Sequence, residues 1–199
     1  MRVLVACEFS GIVRDAFRAR GHDAWSCDLL PATDSQKYHI RGDVEKILNH
    51  SWDLIIAHPP CTYLTVSGNK WMKPEYKDRF PTRAQDREKA IEFFMFLVNA
   101  PVKKKCIENP IGIMSTVYRK PDQVIQPWMF GHGETKATCL WLEGLPPLIP
   151  THMKHDMFAQ QEPKEREQRL HKLPPSPDRW KLRSMTYPGI ARAMAEQWG

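Results

Sequence analysis

The sequence predicts a single α/β domain, a mostly parallel sheet flanked by helices. Short apolar runs alternate with helix-like segments through the N-terminal half, the pattern of successive βα units. Each apolar run ends on a polar or conformationally special residue, as strands do at the carboxyl edge of a parallel sheet. The 199 residues, 42% hydrophobic and 26% charged, suffice for one core and make a second independent domain an unneeded assumption.

Arg2 to Cys7 reads as a buried first strand, Ser10-Gly11 as a turn, and the following residues to Arg20 as a helix that Gly21 ends. Asp23 to Cys27 is a second strand, Val44 to His50 a short helix, and Asp53 to Ala57 a third strand that stops against Pro59 and Pro60. Ala84 to Asn99 is the longest helix, because Ala90, Phe93, Phe94 and Leu97 recur at core spacing. Lys105 to Ile107 is a strand, after which Asn109-Pro110 should lead the chain away from the sheet. Thr138 to Leu142 is a further strand. Residues 145–184 are rich in Pro, Lys, Arg and His and read as an irregular basic excursion within the one domain, 1–199. Tyr187-Pro188 introduces a closing helix, Gly189 to Gln197, and no internal repeat is present.

The composition excludes several classes. No run of about eighteen apolar residues could span a membrane, and the first residues lack the build of a secretory signal, so a soluble, cytoplasmic protein is expected. Five cysteines without a CxxC pair suggest neither a disulfide framework nor a zinc ribbon. His152 and His155 lack a third ligand nearby, so no metal is expected. A net charge of +6 favours a polyanionic partner. Neither GxGxxG nor GxxxxGK[ST] occurs, which argues against nicotinamide and nucleoside-triphosphate chemistry.

Chemistry is expected at the strand ends. Cys61, stiffened by two prolines, is placed either as a nucleophile or as a small buried thiol; Lys70, Lys73, Lys77 and Arg79 in the loop after it are candidates for lowering its pKa. Glu108 can serve a heterocyclic ring nitrogen, or be a glutamate before a turn. Asp28 and Asp43 suit ribose hydroxyls and an exocyclic amine, or cap local turns. Residues 62–82, with Tyr63, Trp71 and Tyr76 among cations, form either a lid or a mobile surface loop.

In order, these pieces resemble the DNA (cytosine-5) methyltransferases, over about residues 1–142 and more loosely the last dozen. Cys7-Glu8-Phe9-Ser10-Gly11 is similar to the first cofactor motif, Asp28 to the ribose-binding acid and Asp43 to the acid that reads the adenine. His58-Pro59-Pro60-Cys61 resembles the nucleophile motif and Glu108-Asn109-Pro110 the motif that grips the cytosine. The resemblance implies a Rossmann-like class I fold and S-adenosylmethionine as methyl donor, held by Phe9, Ser10, Gly11, Asp28, Asp43 and Pro59. It further implies Cys61, protonated Glu108 and Lys136 as catalytic residues, with Pro60 and Asn109 at the substrate, cytosine in DNA, and a monomer favoured. Three departures stand out. Ile12-Val13 follows where the family has a second glycine, Lys136 stands in for an arginine, and Thr186-Tyr187-Pro188-Gly189 occupies the place of a late asparagine motif. The family's large target-recognition region is reduced to residues 145–184, where Lys154, Lys164, Arg166, Arg169, Lys172, Arg179, Lys181 and Arg183 can hold phosphates without reading sequence. A methyltransferase acting on a free pyrimidine nucleotide or RNA, and a catalytically inert DNA-binding relative, are therefore the alternatives.

Overall fold

The computed structural model of the chain describes residues 1–152, 167 and 169–199. Seven strands form one sheet: β1 (Arg2–Ala6), β2 (Asp23–Asp28), β3 (His39–Arg41), β4 (Leu54–Ala57), β5 (Lys104–Pro110), β6 (Gln123–Ile125) and β7 (Thr138–Glu143), ordered β3-β2-β1-β4-β5-β7-β6. The first five run parallel, and β7 lies antiparallel between β5 and β6. The helices are α1 (Ile12–Ala19), α2 (Arg83–Val98), α3 (Met114–Val117), α4 (Arg169–Lys172), α5 (Arg179–Ser184) and α6 (Pro188–Trp198). This is the expected mostly parallel, Rossmann-like sheet flanked by helices.

Both sheet faces are dry, as strand alternation requires. Val3 and Val5 of β1 join Phe17 of α1 and Met194 and Trp198 of α6 in one core. Leu4 and Ala6 point the other way, onto Phe94 and Leu97 of α2 and Trp141 of β7. Ala90 and Phe93 pack at the edge of that second core, as their spacing predicts.

Several expectations are corrected. The short strands His39–Arg41 and Gln123–Ile125 were not foreseen, being only three residues each. The helix expected over Val44 to His50 is a single 3₁₀ turn, Val44–Lys46. Asn109-Pro110 does not leave the sheet: β5 continues through both, with Asn109 opposite Cys139 and Pro110 opposite Thr138. Proline can end a strand in this way because only its own N–H is missing from the ladder. The stretch 145–184 carries two short helices, α4 and α5, among its described residues. Lys154, His155, Lys164 and Arg166 lie outside the described residues. Among the described residues no helix is long and apolar enough to cross a membrane.

Strand register sets up the site. Ala6 is level with Cys27 and Ala57, and Ala57 with Ile107. The next residues, Cys7, Asp28, His58 and Glu108, therefore stand in a row along the carboxyl edge.

Candidate active site

A cleft of about 570 Å³, open to solvent, lies along that edge. Its floor comes from Cys7 to Ser10 after β1, His58 to Cys61 after β4, and Glu108 and Asn109 at the end of β5. The opposite wall is Lys136, ahead of β7, and residues 183–186 after α5. Cys61, Glu108, Asn109 and Lys136, nominated from three distant parts of the chain, thus share one concavity with Phe9, Ser10, Pro59 and Pro60. Gly11, Asp28 and Asp43 do not line it.

The β1 end turns sharply at Cys7, whose φ of 59° is left-handed. Glu8 then folds back over the start of α1. Its buried carboxyl accepts hydrogen bonds from the amides of Val13 at 2.7 Å and Arg14 at 3.2 Å and from the Ser10 hydroxyl at 3.2 Å. Burial raises its pKa, against the charge of His58 and those three bonds. Two of the amides that a helix N-terminus would offer an anion are therefore already taken. Gly11, with φ 72°, begins the helix beneath the buried Arg14 guanidinium, which bonds Asp15, Ser26 and Asp34.

Asp28 accepts from the Leu30 amide at 2.9 Å and Asp43 from the Glu45 amide at 3.0 Å, so both also close local turns. Their charges converge nonetheless: burial first, and then Asp28 and Asp43, push the Cys7 thiol up, and the same causes lift Cys27 to about 12. An acidic field beside the β1 turn suits hydroxyls, amines and a sulfonium cation. With Glu8 in place it repels phosphate. The chemistry of the donor set therefore fits S-adenosylmethionine and disfavours a dinucleotide.

The other half of the cleft is built around β4 and β5. Glu108 accepts from His58 Nδ1 at 2.7 Å, with side chains only 13% and 9% exposed. Burial pushes the Glu108 carboxyl up, but the hydrogen bond from His58, the charge His58 carries when protonated, and Lys136 outweigh it and hold it below the usual range. In the free protein this favours the carboxylate form of Glu108. Asn109 Nδ2 donates to the Pro59 carbonyl at 2.8 Å, tying β5 to the loop that carries Cys61. Two buried atoms here have no partner among the described residues: Asn109 Oδ1 and His58 Nε2.

Cys61 is half-buried. Burial and the Glu108 charge raise its pKa, while Lys136 and Arg183 pull it down without winning. Of the loop cations expected to activate it, three are engaged elsewhere: Lys70 stacks 4.2 Å over Trp71, Lys73 lies 4.0 Å from Glu75, and Arg79 lies 5.8 Å from Trp71 and 5.3 Å from Phe80. That loop is folded as two 3₁₀ turns (Val66–Met72 and Pro74–Tyr76), pinned when Arg83 donates to Gly68 and Arg87 donates to the Tyr63 carbonyl and Asn69. Lys136 donates to the carbonyls of Arg183 at 2.8 Å and Met185 at 3.4 Å, clamping the residues after α5 against the site. On the same segment, Trp180 packs 6.0 Å from the Phe9 ring.

Sequence reasoning missed His58, the capping role of Glu8, and Arg183. The signal for His58 was present: a histidine directly after one strand pairs with a glutamate at the end of its parallel neighbour once the strands are aligned. Among the described residues no group of three His, Cys, Asp or Glu side chains could hold a metal.

No family model matches this chain, and no curated protein does. Among solved structures it is similar to a protein described as a proposed DNA modification methyltransferase encoded within an E. coli prophage. The identity is 16% and the TM-score 0.40, over 71% of this chain and 46% of the other. The chain therefore spans less than half the length of that protein.

Proposed function

We propose that the protein transfers a methyl group from S-adenosylmethionine to carbon 5 of cytosine in DNA, through a covalent adduct of Cys61 at carbon 6. The observation that carries this reading is the convergence of Cys61, Glu108 and Lys136 on one cleft, next to a β1 end where Glu8 takes the first amides of α1 and Asp28 and Asp43 act on Cys7. A thiol, a carboxyl group and a cation in one cavity are the groups needed to add a nucleophile to a pyrimidine and stabilise the charge that develops on its ring.

In this reading Cys61 sulfur bonds to carbon 6, and the ring electrons displaced from the carbon 5–carbon 6 bond come to rest at ring nitrogen 3, which Glu108 serves. Lys136 lines the same cleft, and its charge, which already lowers the Glu108 and Cys61 pKa values, would offset negative charge on the ring. Asn109 keeps the Pro59-Pro60-Cys61 backbone in place. S-adenosylmethionine, when bound, supplies the methyl group; Asp28 and Asp43 would hold its ribose and adenine, with Phe9 and Ser10 beside it. Loss of the carbon 5 proton and departure of Cys61 then restore the aromatic ring. A cytosine in duplex DNA must swing out of the stack to reach Cys61. α5 carries Arg179, Lys181 and Arg183, cations that would meet the phosphates of a DNA backbone.

The test is incubation with methyl-labelled S-adenosylmethionine and DNA, RNA and dCMP in competition. Label at cytosine carbon 5 of DNA that disappears in Cys61→Ala supports the reading. Label on RNA or dCMP alone moves the substrate, label undiminished in Cys61→Ala removes the covalent mechanism, and donor binding without turnover leaves an inert DNA-binding relative.

A further inference from the structure

Thiol addition to a pyrimidine has a proton balance that this site must meet. The S–H bond breaks, the S–C6 bond forms, and ring nitrogen 3 gains a proton along with the displaced electron pair. Nothing net is drawn from solvent, so one proton has to travel from sulfur to nitrogen. Neither group named for the chemistry is prepared to do this alone: Cys61 rests as a thiol, and Glu108 rests as a carboxylate with no proton to give.

A candidate carrier lines the same cleft and is bonded to one of them. His58 follows β4 directly, its Nδ1 lies 2.7 Å from Glu108 Oε2, and its side chain is 9% exposed. Because an ionised carboxylate only accepts, the proton of that bond belongs to Nδ1. The far nitrogen, Nε2, is buried without a partner although His58 lines the cleft. A buried imidazole nitrogen left unpaired costs on the order of 1–3 kcal/mol, so a site retains one when a ligand or a reaction uses it.

We propose that His58 is the proton relay of this site: Nε2 takes up the Cys61 proton while Nδ1 passes its own to Glu108, which delivers it to ring nitrogen 3. The relay rests on the methyl-transfer reading above and deepens it. Bonds balance at each atom: S–H is exchanged for Nε2–H, Nδ1–H for Oε2–H, and Oε2–H for N3–H. On expulsion of Cys61 the sequence runs backwards. No hydrogen bond joins Nε2 to Cys61 in the free protein, although both residues line the cleft, so the relay closes only once substrate is bound. The titratable groups that His58 meets are Glu8 from the β1 end and Glu108 on β5; Cys61, Lys136 and Arg183 line the same cleft.

His58→Gln keeps an amide donor for Glu108 but cannot relay, and His58→Ala leaves room for added imidazole. The proposal expects His58→Gln to lose about 100-fold or more in kcat with an altered pH profile, at the lower end of what general acid–base groups contribute. Its unfolding temperature should stay near wild type, and imidazole should restore turnover to His58→Ala. In the free protein, ¹⁵N shifts of His58 should report the Nδ1-protonated form, and Glu108→Gln should change them. Wild-type kcat and pH profile in His58→Gln overturn the relay while leaving methyl transfer standing, as does an Nε2-protonated, Nδ1-bare tautomer. Absence of label from the wild type on DNA, RNA and dCMP overturns the methyl-transfer reading, and the relay falls with it.

Discussion

Glu8→Ala tests whether the β1 end is built around a self-supplied anion. The carboxyl group accepts three hydrogen bonds, two of them from amides in the first turn of α1, and Val13 and Arg14 are fully buried. Truncation to alanine leaves both N–H groups without their acceptor in a buried turn. At about 1–3 kcal/mol for each unsatisfied buried group, the loss is about 4 kcal/mol. For a domain of this size that corresponds to a fall of about 8–16 °C in Tm. Glu8→Gln should fall between, at about 1–2 kcal/mol, because its carbonyl can still take the Val13 amide while its NH₂ cannot take that of Arg14. Thermal unfolding followed by circular dichroism reads both variants. A Tm for Glu8→Ala within 2–3 °C of wild type, on the roughly 2–4 °C per kcal/mol scale, would refute the capping argument.

Cys61 should alkylate slowly at neutral pH, with a rate that climbs as pH rises through and beyond the ordinary thiol range, because burial and Glu108 disfavour the thiolate. Lys136→Ala should push that profile further up; an iodoacetamide rate that levels off below about pH 7 contradicts the assignment, since an unperturbed thiol titrates near 8.5. Gly189→Ala should destabilise by about 3 kcal/mol, because a Cβ there would stand 1.9 Å from the Phe130 carbonyl oxygen, a backbone atom that cannot step aside. Chemical denaturation measures it, and an unchanged midpoint would mean that the start of α6 sits differently.

The long-period features of this protein were legible in its sequence. The β1, β2, β4 and β7 strands announce themselves as apolar runs, and α2 by the recurrence that buries Phe94 and Leu97. The three-residue strands His39–Arg41 and Gln123–Ile125 were not, because such short elements are created by pairing with a neighbour and not by local pattern. Pro110 misled for the opposite reason: a local rule against continuing the strand lost to the antiparallel ladder with β7. At the site, residue types could be nominated one by one, but their electrostatic states could not. The His58 bond that lowers the Glu108 pKa was not foreseen, because the two residues lie fifty positions apart in the chain, a separation across which no motif speaks. Cys61 was assigned the wrong cations for the same reason. Lys70 and Arg79 are close in sequence yet engaged with Trp71 and Phe80, while Lys136 and Arg183, far along the chain, are the ones whose charge arrives.

The arrangement of charge along the sheet edge bears on the two-ligand reading as a whole. Passing from β3 to β7, the carboxyl edge carries Asp43, Asp28 and Glu8, then the His58–Glu108 pair, then Lys136 with Arg183 behind it. A sheet edge graded in this way from acidic to basic can sort two ligands by charge before any specific contact is made. In the methyl-transfer reading proposed above, a sulfonium donor with free hydroxyls would take the β1–β3 end, where Glu8 already fills the position a helix N-terminus normally offers to anions. A polyanionic acceptor would take the β7 end, and the reacting atoms of both would meet between them, beside Cys61, Glu108 and His58.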